Sequence, residues 1–268
     1  KTVVRRPFRP YGWRSLLAFL STKPRYVVDT YSSEMASLIR ECLKNNRYDL
    51  VIASQEGTAV YGFLFGRVPA LYEEVEVGVP YDRFSHATGS WTRFRRALTW
   101  WKHRRYLKNQ LDCFQACTVV SREEKLLLCR SVPDRPPIKV IPNCLPLENY
   151  RGFRVDDKER QLIFTGSFLY EPNYEAMVWF LRKVFPAVKA SLPDIRLIIT
   201  GDTSHRSFSC DKGVILTGYV EDVRPLVAAS AASVAPIHTG GGTRLKILEA
   251  MALGTPVIST SKGAEGLG

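Results

Sequence analysis

The segment Pro236-Ile-His-Thr-Gly-Gly-Gly-Thr-Arg-Leu-Lys-Ile-Leu-Glu-Ala-Met-Ala-Leu-Gly254 constrains this chain more than any other. The apolar run Ala232 to Pro236 predicts a strand, three glycines follow, and the pattern from Thr243 to Leu253 predicts a helix. Glycines let backbone N–H groups approach a ligand closely, and a helix N-terminus adds unpaired donors and partial positive charge. Arg244 and Lys246 put two cations in the first turn, where they oppose the helix dipole. Helix stability alone would not select them; an anion bound at that terminus would. The other reading is a loop that only turns the chain, with solvated cations beside it. The run has no G-K-[ST] and so is not a P-loop. Nor does it follow the first strand of its domain, as the dinucleotide fingerprint does.

The surrounding pattern alternates strand and helix. In the second half, strands are expected at 161–165, 196–200, 213–217, 232–236 and 256–259, with helices at 172–190, 223–230 and 243–253. In the first half, strands are expected at 48–54, 117–121 and 138–142, with helices at about 32–46 and 91–116. Short apolar runs without alternation, set between helices, are what a parallel sheet covered on both faces requires. Over 91–116, Phe94, Ala97, Trp101, Leu107, Leu111 and Phe114 fall near helical spacing and are expected to form the buried stripe. A linker is expected from Pro142 to about Arg160, dividing an N-terminal domain, 1–155, from a C-terminal one, 156–268.

At 268 residues the chain is long enough for two ordinary domains that fold without staples. Its 45% hydrophobic and 24% charged content is that of a soluble globular protein. No stretch approaches the ~18 consecutive apolar residues of a membrane span. The first residues lack the apolar core of a signal peptide. Six cysteines without a C-x-x-C pair, beside only four histidines, argue against a zinc site. They fit free, mostly buried thiols in a reducing compartment. The formal net charge of +12 is carried by the first half of the chain, which points to an anionic partner there.

Gly240-Gly-Gly-Thr-Arg-Leu-Lys-Ile-Leu-Glu-Ala-Met-Ala252, with Gly254-Thr-Pro-Val-Ile-Ser-Thr260 and Gly263-Ala-Glu-Gly-Leu267, resembles the nucleotide-sugar site of glycosyltransferase family 4. Phe164-Thr-Gly-Ser-Phe168 with Pro172-Asn173 and Trp179-Phe180 resembles the opening of that family's second domain. Gly218-Tyr-Val-Glu-Asp222 resembles the loop beside the base, and Val140-Ile-Pro-Asn143 the end of the first domain. The likeness is close over 161–267 and loose over 25–150. It implies a GT-B fold: α/β, two Rossmann-like doubly wound domains facing across a cleft, here expected to be incomplete at both ends.

The resemblance also implies roles. Glu249 would hydrogen-bond the ribose hydroxyls. Lys246 and the N–H groups of Gly241 and Gly242 would hold the diphosphate, with Gly240, Gly166 and Ser167 close to it and Arg244 a weaker participant. Glu221 and Asp222 would lie by the base through their backbone. Such groups stabilise negative charge on a departing diphosphate. The family retains anomeric configuration and needs no metal or other cofactor; the donor would be a UDP- or GDP-sugar. The chain has no Asp-x-Asp, the metal signature of the other large glycosyltransferase fold. Two departures stand out. Many members carry a second Glu eight residues before the one matched by Glu249, where this chain has Gly241; His238 or backbone would take its place. Many carry an Arg and a Lys within the stretch matched by 166–173, which has neither here.

On the acceptor side, Glu73, Glu74 and Glu76 are candidates to position or deprotonate a hydroxyl, and equally could be solvated surface carboxylates. The run Trp91 to Lys108 interleaves cations with Trp100, Trp101 and Tyr106. It suits an anionic membrane surface, or a solvated helix face whose aromatics are core. No nucleic-acid-binding motif is present. The expectation is a hexosyl transfer to a carbohydrate or lipid-linked acceptor in cell-surface polysaccharide or glycolipid synthesis. That places the protein in the cytoplasm or at the inner face of the membrane. The alternatives are another GT-B enzyme, such as a nucleotide-sugar epimerase, and a non-catalytic sugar-nucleotide or membrane-binding remnant.

Overall fold

The computed structural model describes residues 8–9, 11–153, 155–203, 206–208, 212–240 and 244–267. The chain divides into two compact units, Lys1–Pro142 and Asn143–Gly268. The division falls at the start of the expected linker. Tyr150 and Phe153, from within that linker, pack on the core of the second unit.

In the first unit, strands β1 (Val51–Ser54), β2 (Ala70–Glu73), β3 (Ala116–Val119) and β4 (Ile138–Val140) form a parallel sheet in the order β1-β2-β3-β4. Its core gathers Tyr72, Leu107, Leu111, Phe114, Cys117, Val119 and Leu128. The helix Arg122–Ser131 starts at Ser121, whose hydroxyl accepts from Glu124 N–H at 3.1 Å, a side-chain N-cap.

The long helix spans Ser90–Leu111, and its register corrects the expected stripe. The buried residues are Trp100, His103, Leu107, Gln110 and Leu111, whereas Phe94 is 62% and Trp101 50% exposed. At 3.6 residues per turn, positions 100, 103, 107 and 111 share the face turned to the sheet. Positions 91, 94, 98 and 101 share the opposite one. Phe114 is buried, but from the turn after the helix has ended.

In the second unit, strands β5 (Glu159–Thr165), β6 (Arg196–Thr200), β7 (Val214–Gly218), β8 (Ser230–Ala235) and β9 (Val257–Ser259) form a parallel sheet in the order β7-β6-β5-β8-β9. The order reverses between β5 and β8, as in a doubly wound fold. Both faces are covered. Leu162, Phe164, Leu197 and Ile199 point into one core with Ala176, Met177 and Phe180 of the helix Glu171–Lys183. Ile163 and Ile198 point into the other, with Val227, Ala228, Ala250 and Leu253. A strand buried on both sides reads as a continuous apolar run, which is why Leu162-Ile-Phe164 was legible. The expected helix over 172–190 is two, Glu171–Lys183 and Phe185–Ser191, because Pro186 denies the backbone a donor at the junction.

Among the described cysteines all are free, and only Cys117 is buried; Cys42, Cys113 and Cys129 are partly exposed and Cys144 is exposed. The expectation of mostly buried thiols therefore fails. Among the described residues no helix is long and apolar enough to cross a membrane, and no group of three His, Cys, Asp or Glu side chains could hold a metal ion.

Candidate functional site

Ligands of open parallel sheets bind outside the carboxyl ends of the strands, at the point where strand order reverses. Here that point lies between β5, which runs into Gly166-Ser167, and β8, which runs into His238-Thr-Gly240. The strand ends are drawn tightly together. Gly166 N–H donates to Thr200 O at 3.1 Å and Gly201 N–H to Gly218 O at 2.8 Å. A Cβ at position 201, where φ is +135°, would stand 1.9 Å from Gly166 O, so only glycine fits.

Lys246 comes to this point from the helix Leu245–Ala252. Its Nζ donates to Asn173 Oδ1 at 3.0 Å and lies 3.8 Å from the centre of the Phe164 ring. Asn173 is fixed in turn by its Nδ2, which donates to Ser167 O at 2.8 Å. A Cβ on Gly166 would lie 2.9 Å from Lys246 Nζ and 2.8 Å from Asn173 Nδ2. The glycine therefore leaves open the space beside the ammonium. Burial first, and then the neighbouring Arg244, push the Lys246 pKa down to about 7, against a smaller opposing pull from Glu249.

Glu249 sits one turn further along and is half-buried. Its Oε1 accepts from the Tyr150 hydroxyl at 3.2 Å. Burial raises its pKa, while the Tyr150 hydrogen bond and Lys246 pull it back. Tyr150 and Asn173 are the two site residues that sequence reasoning did not single out. Asn173 carried a signal, since it lies in the Pro172-Asn173 pair of the resemblance.

The other expected donor residues are placed as follows. Arg244 turns back on the glycine loop: its Nη2 donates to Gly240 O at 2.8 Å. His238 is exposed and packs edge-to-face on Trp179, with ring centres 4.4 Å apart. Asp222 is engaged by Arg224, whose Nε and backbone N–H donate to Oδ1 at 2.8 and 3.0 Å, and this holds the carboxyl below its usual range. Glu221 and Ser167 are exposed. Gly241 and Gly242 lie outside the described residues. The structure thus brings together Gly166, Lys246 and Glu249, and turns the side chains of Arg244 and Asp222 toward holding loops.

In the first unit, Glu73 ends β2, Glu74 follows it with φ +57°, and Glu76 is exposed. Glu74 is singled out by its partner: Gln55, the residue after β1, also has a left-handed backbone (φ +60°) and donates from Nε2 to Glu74 Oε2 at 3.0 Å. Neither residue is glycine, so each conformation costs about 1 kcal/mol or more.

Residues 159–267 match the family profile of Glycosyl transferases group 1. A curated relative, an uncharacterized 44.6 kDa protein in the cps region of Klebsiella pneumoniae, is 27% identical over 140 residues. That match takes in 48% of this chain and 36% of the relative, so the chain spans well under half the relative's length. Sucrose-phosphate synthase from Thermosynechococcus elongatus superposes with a TM-score of 0.61 at 19% identity, over 86% of this chain and 61% of that one. Alr3699/HepE from Anabaena, solved in complex with UDP and glucose, superposes with a TM-score of 0.56 at 16% identity, over 98% of this chain and 68% of that one. These likenesses carry the fold of both units. Residues 159–267 are thus similar to the group 1 glycosyltransferases, and the architecture of the chain is that of the GT-B class.

Proposed function

We propose that this protein transfers a hexosyl group, with retention and without a metal ion, from a nucleotide diphosphate sugar to an acceptor hydroxyl. The observation that carries the reading is Lys246: a desolvated ammonium, braced by Asn173, beside the open space at Gly166 and at the strand-order reversal. A lysine buried for packing alone would be a cost to the fold; one poised at an anion site recovers that cost when a diphosphate arrives. As the glycosidic bond breaks, negative charge grows on the departing diphosphate. Lys246 then stabilises the transition state more than the ground state. Glu249 accepts hydrogen bonds from the ribose hydroxyls. UDP is the first nucleotide to try, since HepE was solved with it, and GDP the second.

For the acceptor side, Glu74 is the best placed of the three carboxylates, at the carboxyl end of β2 and oriented by Gln55. A carbohydrate or lipid-linked acceptor in polysaccharide synthesis is supported by the cps-region relative. An anionic membrane surface is supported by the exposed stripe Trp91, Phe94, Leu98 and Trp101 on a helix rich in Arg and Lys.

The test is a calorimetric titration of the chain with UDP, GDP and ADP. One nucleotide binds, and Lys246→Ala and Glu249→Ala each weaken it about tenfold to a hundredfold, the worth of a hydrogen bond to a charged group. Intact, folded protein that binds none of the three would refute a working donor site. Sugar transfer to any acceptor, lost in Glu249→Ala, separates the enzyme from a non-catalytic remnant.

A further inference from the structure

The first unit holds a cavity of about 260 Å³ between the C-terminal half of the helix Ser90–Leu111 and the segment around Phe63. Gln110 lines it, and Gln110 is only 6% exposed. Neither its Nε2 nor its Oε1 has a hydrogen-bond partner among the described residues. A buried amide with both ends unmet is costly, and a native fold meets such a group with water or with a ligand. What arrives needs to offer an acceptor and a donor side by side, as a hydroxyl group does.

The rest of the lining narrows the class. Arg105 and Lys23 are exposed at the cavity and no acidic side chain is among the residues that line it, so the two cations there suit an anion. Tyr106 lines it too; burial, and after it the Glu56 carboxylate, raise the pKa of its phenol well above the ordinary value, so that it stays a neutral donor. Asn109 adds a further amide. A free phosphate would satisfy the cations and leave the Gln110 amide hydrogens and carbonyl only half met. An uncharged sugar would do the reverse.

We infer that this cavity binds a small phosphorylated polyol, its hydroxyls on Gln110 and its phosphate between Arg105 and Lys23. None of these residues belongs to the donor site of the second unit, so the inference stands or falls independently of the transfer reaction.

The probe is glucose 6-phosphate, titrated into the full chain by calorimetry beside glucose and inorganic phosphate. The expected result is saturable binding of glucose 6-phosphate, about tenfold tighter than either half-ligand. Gln110→Leu removes it, and Arg105→Ala weakens it several-fold. Arg105 is exposed, so its variant keeps the test decisive should Gln110→Leu fail to fold. The proposal is overturned by absence of saturation or by phosphate binding as tightly as the sugar phosphate. An affinity that neither variant changes overturns it as well, since the ligand would then sit elsewhere.

Discussion

A lysine with a pKa of about 7 is half-charged at neutrality, and that makes Lys246 the residue whose state a ligand can change most. A diphosphate beside Nζ favours the ammonium and raises its pKa. Binding a nucleotide sugar should therefore take up a proton. At pH 6 the lysine is already protonated and uptake is near zero; above pH 7 uptake rises toward one, and affinity falls as the pH climbs. Calorimetry in two buffers of different ionisation enthalpy reads this directly. Lys246→Arg, whose guanidinium stays charged, should bind without uptake. A proton count that ignores this substitution would place the titrating group elsewhere. Lys246 and Glu249 were legible because glycines, cations and a glutamate stood in one run. Tyr150 was not, since its contact joins residues 99 positions apart and no local pattern announces it.

At the scale of elements, the apolar core strands of the second unit were legible and the acidic end of a strand was not. β2 is four residues long and closes on Glu73, so its period is too short to show and its last residue reads as surface. The long helix was legible as a helix, but not in its rotation. Its apolar residues occupy two opposite faces, and only packing decides which is buried. The face that remains out carries Trp91, Phe94, Leu98 and Trp101 at steps of three and four, flanked by exposed Arg95 and Arg105. The proposed membrane contact would set this face in the headgroup region of an anionic bilayer, where each cation adds about 1 kcal/mol. Sedimentation with phosphatidylglycerol vesicles should bring the protein down at low salt and release it at high salt. Replacing Trp91, Phe94 and Trp101 together by Ser should abolish binding with little change in thermal stability, since none of the three is core. Equal binding to neutral vesicles would remove charge from the account.

At the scale of the molecule, each unit has its own hydrophobic core, and the excess positive charge belongs to the first. Scanning calorimetry should resolve two transitions. A bound nucleotide should raise only the one belonging to Asn143–Gly268, by about 2.7 kcal/mol at a hundred times its Kd. A single transition, shifted whole, would mean that the units unfold as one. The boundary itself was only roughly legible, because 143–153 reads as a polar connection and yet sends Tyr150 and Phe153 into the second core.

That stretch has one more property. The chain enters its second unit through residues that end at the Tyr150 hydroxyl, and this hydroxyl rests on Glu249. A ribose hydroxyl bound by Glu249 as proposed would compete with the phenol for that carboxylate oxygen and slacken the tie. With Glu249 in the proposed ribose role, the segment that carries Tyr150 would be held by the phenol in the empty site and let go in the filled one, much as a tethered cord tells by its tension whether the mooring is occupied.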